Sequence, residues 1–234
     1  MASRPPQLFP VFLLVVVELF FLLVIVAGPN LFAPRLSEFL AARRGLLLVG
    51  HVSAVVTGVI WITIGDILFT RFLLYTGIPQ NDVMIRKLHL VSRWVWGALA
   101  IIVISGFGLY IPEAARLNHA PKFILKMIVV AVLVVNGTFL NIVVAPRFVR
   151  FQSFVRTGLR TDGQERMLFY MACASGAVSF VSWWSALILG FLSALPLSFM
   201  TGLAVYIGLV AVMIGISQIV AWYIGARAKL DFPR

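Results

Sequence analysis

Six apolar runs recur along the chain: Leu8–Ala27, Leu46–Tyr75, Leu90–Ile111, Phe123–Val144, Met167–Leu195 and Leu197–Ile224. Each reaches the roughly 20 residues that a helix needs to cross about 30 Å of hydrocarbon. Lipid offers no hydrogen bonds, so a crossing chain satisfies its backbone internally, as helices or as a closed barrel. Continuous runs without period-two alternation exclude the barrel. The predicted fold is therefore all-α: one transmembrane domain over residues 1–234, a polytopic bundle with helices near 8–27, 46–75, 83–111, 121–144, 167–195 and 197–225.

With 62% hydrophobic and 12% charged residues, little chain remains for a soluble domain. The longest polar stretch is about Ala145–Arg166. Cys173 is the single cysteine, so no intrachain disulfide forms, and its place in the fifth run reads as a small buried residue. Arg4 ahead of the first run and Ala27-Gly28 behind it resemble a signal peptide. The apolar stretch is too long for that and carries Glu18 at its middle, so it reads as the first membrane helix.

Positive charge accumulates on cytoplasmic flanks. Thirteen of the 19 Lys and Arg fall on the N-terminal side, among them Arg86, Lys87, Arg93, Arg147, Arg150 and Arg227; the other six are Arg35, Arg43, Arg44, Arg116, Lys122 and Lys126. Both termini are thus predicted to be cytoplasmic, with localisation in a bacterial or archaeal cytoplasmic membrane. The net charge of +11 then favours anionic inner-leaflet lipids as partners rather than nucleic acid. Within 146–159, Phe148, Phe151, Phe154, Val155 and Leu159 alternate at helical spacing with Arg147, Arg150 and Arg156, which predicts an amphipathic helix on the membrane surface. Asn81 or Asp82 follows the breakers Gly77 and Pro79 and is placed to cap the third helix.

Ionisable side chains inside a membrane helix are costly, so each is a candidate site residue or a paired structural one. Helix direction sorts them by depth. His51 and Lys126 fall about one turn below the outer surface, with Glu113 and His119 in the loop above. Asp66 and Arg93 fall near the inner surface, where a structural ion pair is expected. Glu18 lies at mid-membrane, either protonated as in a proton relay or hydrogen-bonded by Asn136, Ser175, Ser179 or Gln218. Helix two carries His51, Val55, Gly58, Ile62 and Gly65 on one stripe, and helix four carries Lys126, Val130, Leu133, Gly137 and Asn141. Such Gly-bearing stripes suit either a planar cofactor or close helix packing. Trp183 and Trp184, deeper than an interfacial belt, suit a cofactor wall or the core.

Walker A, Gly-rich dinucleotide, HExxH, CxxC and CxxCH motifs are all absent. The opposite depths of His51 and His89 argue against a haem held by that pair.

His51 followed by Trp61, Ser92-Arg93 and Ser105-Gly106, and Leu125-Lys126 with Asn141 and Pro146, together resemble helices of the CopD-like superfamily over about residues 47–147. That superfamily groups copper-resistance CopD domains with HemJ-type protoporphyrinogen oxidases. The resemblance implies haem b binding at His51 and Lys126. Ile142 stands where CopD proteins usually carry arginine, and no Met-rich or His-rich outer segment is present.

Three readings follow. In the leading one, an outer-leaflet pocket lined by His51, Lys126, Gly58, Trp183 and Trp184 holds a redox cofactor, a b-type haem, for electron transfer or porphyrin-related oxidation. In the second, His51, His119 and Glu113 bind copper for handling or transport. In the third, the chain is a cofactor-free accessory subunit among other membrane subunits.

Overall fold

The computed structural model describes residues 12–17, 19, 20, 23, 34–74, 82–144 and 163–230, and every regular element among them is helical. The described residues of the first run are helical too. A surface helix, α1 (Pro34–Ala42), then precedes the long helices α2 (Arg44–Leu74), α3 (Asp82–Tyr110), α4 (Pro121–Phe139), α5 (Gly163–Phe191) and α6 (Phe199–Leu230). Five helical segments are long and apolar enough to cross a membrane: Arg44–Arg71, Arg86–Leu117, Pro121–Val144, Arg166–Phe191 and Phe199–Ile224. Glu18, both chain termini, Asn81 and the expected amphipathic segment 146–159 lie outside the described residues.

Local chemistry sets the helix ends. Asp82 opens α3, and Pro112 closes it by turning Ile111–Glu113 into a 3-10 turn. Ala120 is extended and Pro121 takes the first helical position of α4, where its missing N–H costs nothing. At its far end α4 widens into a π-helical turn, Leu140–Val144. The fifth helix stops at Phe191 rather than at Leu195 as the apolar run predicts. Pro196 bars a helical conformation at Leu195, Lys122 Nζ donates to the carbonyl of Leu192, and the chain runs irregularly to Ser198. Ser198 Oγ then accepts from Thr201 N at 3.2 Å and caps α6.

The central core joins Val55, Val59, Leu99, Ile102, Val129, Leu133 and Trp183, with Leu13 and Val17 of the first run packed onto it. At one end Tyr110, Ile111 and Ala114 gather Phe20, Leu40 and Phe123. There Phe20 lies edge-on to Phe107 at 4.8 Å, and Tyr110 stacks on Phe123 at 5.4 Å. At the other end Phe169, Ala172, Cys173, Ala221 and Ile224 form a smaller core. Helices α4, α5 and α6 are tied by polar bonds: Asn136 Nδ2 donates to Ser175 O at 2.9 Å, and Gln218 Nε2 to Tyr170 O at 3.1 Å. Asn136 and Gln218, two of the partners expected for Glu18, thus each donate to an α5 carbonyl, while Glu18 itself lies outside the described residues.

Candidate functional site

His51 is 7% exposed, on the face of α2 turned to α3, and its ring lies against Gly106. A Cβ at residue 106 would come within 3.3 Å of His51 Cε1, so this glycine lets the imidazole lie close against α3. His51 Nδ1 lies 3.0 Å from Ser105 Oγ. The Ser105 hydroxyl donates to the carbonyl of Ile101 at 2.5 Å, as intrahelical Ser commonly does. With its hydrogen so placed, Ser105 Oγ accepts from His51 Nδ1–H, which leaves Nε2 with its lone pair free to accept. Lys126 Nζ, reaching across from α4, donates to that nitrogen at 3.0 Å. Ser105, His51 and Lys126 thus form one hydrogen-bonded chain across three helices.

His51 and Lys126 line a cavity of about 550 Å³. Its apolar walls include Val17, Phe20, Val55, Phe107, Tyr110 and Phe123. At its rim Arg44, Arg116 and Lys122 join Lys126, against the carboxylate of Glu113. Glu113 Oε1 lies 3.0 Å from Arg44 Nη2, and Oε2 is paired with Arg116. Among the described residues the rim is therefore cationic after Glu113, its one carboxylate, has been neutralised. Apolar walls with a few converging polar groups are the general form of a small-ligand site.

Sequence-predicted site residues divide clearly. His51 and Lys126 come together as depth along the helices implies. Gly58, Trp183 and Trp184 do not join them. Gly58 faces the indole of Trp183, which fills the space where a side chain would stand. Trp183, 1% exposed, is a core residue, and Trp184 is 39% exposed with its ring beside Phe180. None of the three lines the cavity.

The expected copper set is not assembled: Glu113 is held by two arginines, His119 is exposed, and no group of three or more His, Cys, Asp or Glu converges among the described residues. Asp66 and Arg93 form no ion pair among the described residues. Arg93 is exposed on α3, whereas Asp66 Oδ2 is buried without a hydrogen-bond partner. The rotation of α3 about its axis, which depth along the helix does not fix, turns Arg93 away from Asp66. His89 lines a different cavity from His51.

Sequence reasoning did not find the parts played by Ser105, Gly106 and Lys122. Ser105-Gly106 stands four residues before Leu109-Tyr110 on the His51-facing side of α3, and only the packing of α2 against α3 gives the pair its meaning. Comparison with protein-family models, curated proteins and solved structures finds no match to this chain.

Proposed function

We propose that the cavity between α2, α3 and α4 holds a b-type haem and that the protein serves electron transfer or porphyrin-related oxidation. In this reading the cavity lies in the outer half of a bacterial or archaeal cytoplasmic membrane, with both termini cytoplasmic. The observation that carries it is the approach of Lys126 Nζ to His51 Nε2, 3.0 Å, beside an apolar cavity of about 550 Å³. His51 and Lys126 would be the donors, each freed for the group once their mutual hydrogen bond opens. Ser105 fixes the imidazole tautomer that presents Nε2, and Lys126 supplies a second nitrogen when its amine is neutral. The aromatic walls suit a macrocycle, and Arg44, Arg116 and Lys122 suit its carboxylates. Bound there, haem supplies one-electron chemistry whose potential the protein tunes through ligands and burial.

The test is the visible spectrum of the purified protein, before and after dithionite and with added haem. A Soret band is expected in the wild type. His51→Ala should abolish it and Lys126→Met should shift or weaken it. His89→Ala should leave it unchanged, because His89 borders another cavity. A protein that stays colourless after haem is added overturns the reading. Stoichiometric copper lost with His51 and His119 would then favour metal handling, and the absence of both ligands would favour an accessory subunit.

A further inference from the structure

A second cavity, of about 270 Å³, lies between α2, α3, α4 and α5. Asp66, on its wall, is fifteen residues beyond His51, about 22 Å along α2 at the helical rise. The polar members of this wall are few: Asp66, His89, Ser92, Asn141 and Ser179. Ser92 Oγ donates to Asn141 Oδ1 at 3.1 Å, and Asn141 Nδ2 donates to Gly137 O at 3.1 Å. Asp66 Oδ2, in contrast, is buried with no partner. A carboxyl oxygen left this way forfeits the hydrogen bonds it had in water, so a donor brought by a ligand is favoured there.

Three further features specify that donor. Among the described residues, no Lys or Arg lines the cavity, so none of the described basic side chains takes the place of the missing partner. The indoles of Trp96 and Trp183 are on the wall, and indole faces attract cations as well as hydrocarbon. Asn141 sits in the π-helical turn that ends α4, a distortion found often at functional sites. A phosphate or carboxylate ligand would meet Asp66 as a like charge, whereas a cationic donor with an apolar body matches both the carboxylate and the indoles on the wall.

We propose that this cavity binds a small apolar amine, with its ammonium group on the Asp66 carboxylate and its hydrocarbon against Trp96 and Trp183. The site is separate from the His51 cavity and does not depend on what that cavity holds. The probes are 2-phenylethylamine and its neutral counterpart 2-phenylethanol, titrated into the full-length protein in detergent and read by tryptophan fluorescence. The wild type should bind the amine saturably, at one site per chain, and the alcohol about tenfold more weakly, the difference that a charge-assisted hydrogen bond makes. Asp66→Asn should bring the amine down to the level of the alcohol, and Asp66→Glu should keep the amine preference. No saturable amine binding, equal affinity for amine and alcohol, or a preference that survives in Asp66→Asn would each overturn the proposal. The wild-type ratio of amine to alcohol decides the matter even if Asp66→Asn does not fold.

Discussion

At Gly58 the absence of a side chain is what lets α5 press its largest buried residue onto α2. Trp183 occupies that space, so an added methyl must displace the indole from its packed position. Gly58→Ala should lower stability in detergent by about 1–3 kcal/mol, the usual range for overpacking. Gly208→Ala is the control, since a Cβ there meets nothing within 4 Å. Equal effects of the two changes on thermal unfolding would refute the notch. The same position shows what sequence can and cannot say about a site. The His51, Gly58, Gly65 stripe predicts a close approach on one face of α2, and the approach is found. A helix period does not identify the neighbour, and here it is a tryptophan of α5 rather than a ligand. Ser105 is the opposite case, a residue whose importance comes wholly from the tautomer it imposes on His51. If His51 holds haem, Ser105→Ala should weaken haem affinity by about 10–100-fold, as loss of a ligand's supporting hydrogen bond does. Ser105→Thr, which keeps the hydroxyl, should restore most of it. Equal haem affinity in the wild type and Ser105→Ala would show that the hydroxyl does not orient the ring.

Among the elements, helix existence was legible because long apolar runs leave a membrane chain no other backbone solution, and the end of α3 follows directly from Pro112. The end of α5 was not, because hydropathy continues through Ala194 and Leu195 while the helical hydrogen bonds end with Leu192 N donating to Ile188 O. What closes the helix is a tertiary contact, the Lys122 ammonium on the Leu192 carbonyl, and residue 122 is seventy positions away in sequence. A cation on terminal carbonyls also opposes the negative end of the helix dipole. Lys122→Met should therefore cost about 1.5–3 kcal/mol, the range for a hydrogen bond to a charged group. Hydrogen exchange offers the direct measurement: amides of 188–198 should exchange faster in the variant, with α2 unaffected. Unchanged exchange in that segment would mean that Pro196 alone ends the helix. The surface helix α1 escaped the sequence reading for a related reason. Pro34–Ala42 buries none of its residues fully, and its only partly buried Leu40 packs at the Tyr110 end of the bundle.

For the whole molecule, depth proved a better guide than motif. Alternating helix direction brings residue 51 to the level of residue 126 and carries residues 66 and 89 to a separate cavity, and the structure places them so. Depth along an axis leaves rotation about it undetermined, which is why His51 met Lys126 while Arg93 faced away from Asp66. Which side of the membrane each cavity faces is a question of charge. Thirteen of 19 basic residues lie on the predicted inner side, and orientation follows that excess because flanking Lys and Arg resist translocation. A reporter fused after Arg234 should accordingly be active only in the cytoplasm. For the other side, Cys173 is buried and is replaced by Ala, leaving a cysteine-free background for Asn118→Cys. Asn118 follows the short helical turn Ala114–Leu117 and is partly exposed beside the His51 cavity. An impermeant thiol reagent should label it in intact cells, and labelling only after lysis would invert the bundle. In that event the cationic rim of Arg44, Arg116 and Lys122 would face the cytoplasm, and the amine cavity at Asp66 would lie toward the outside.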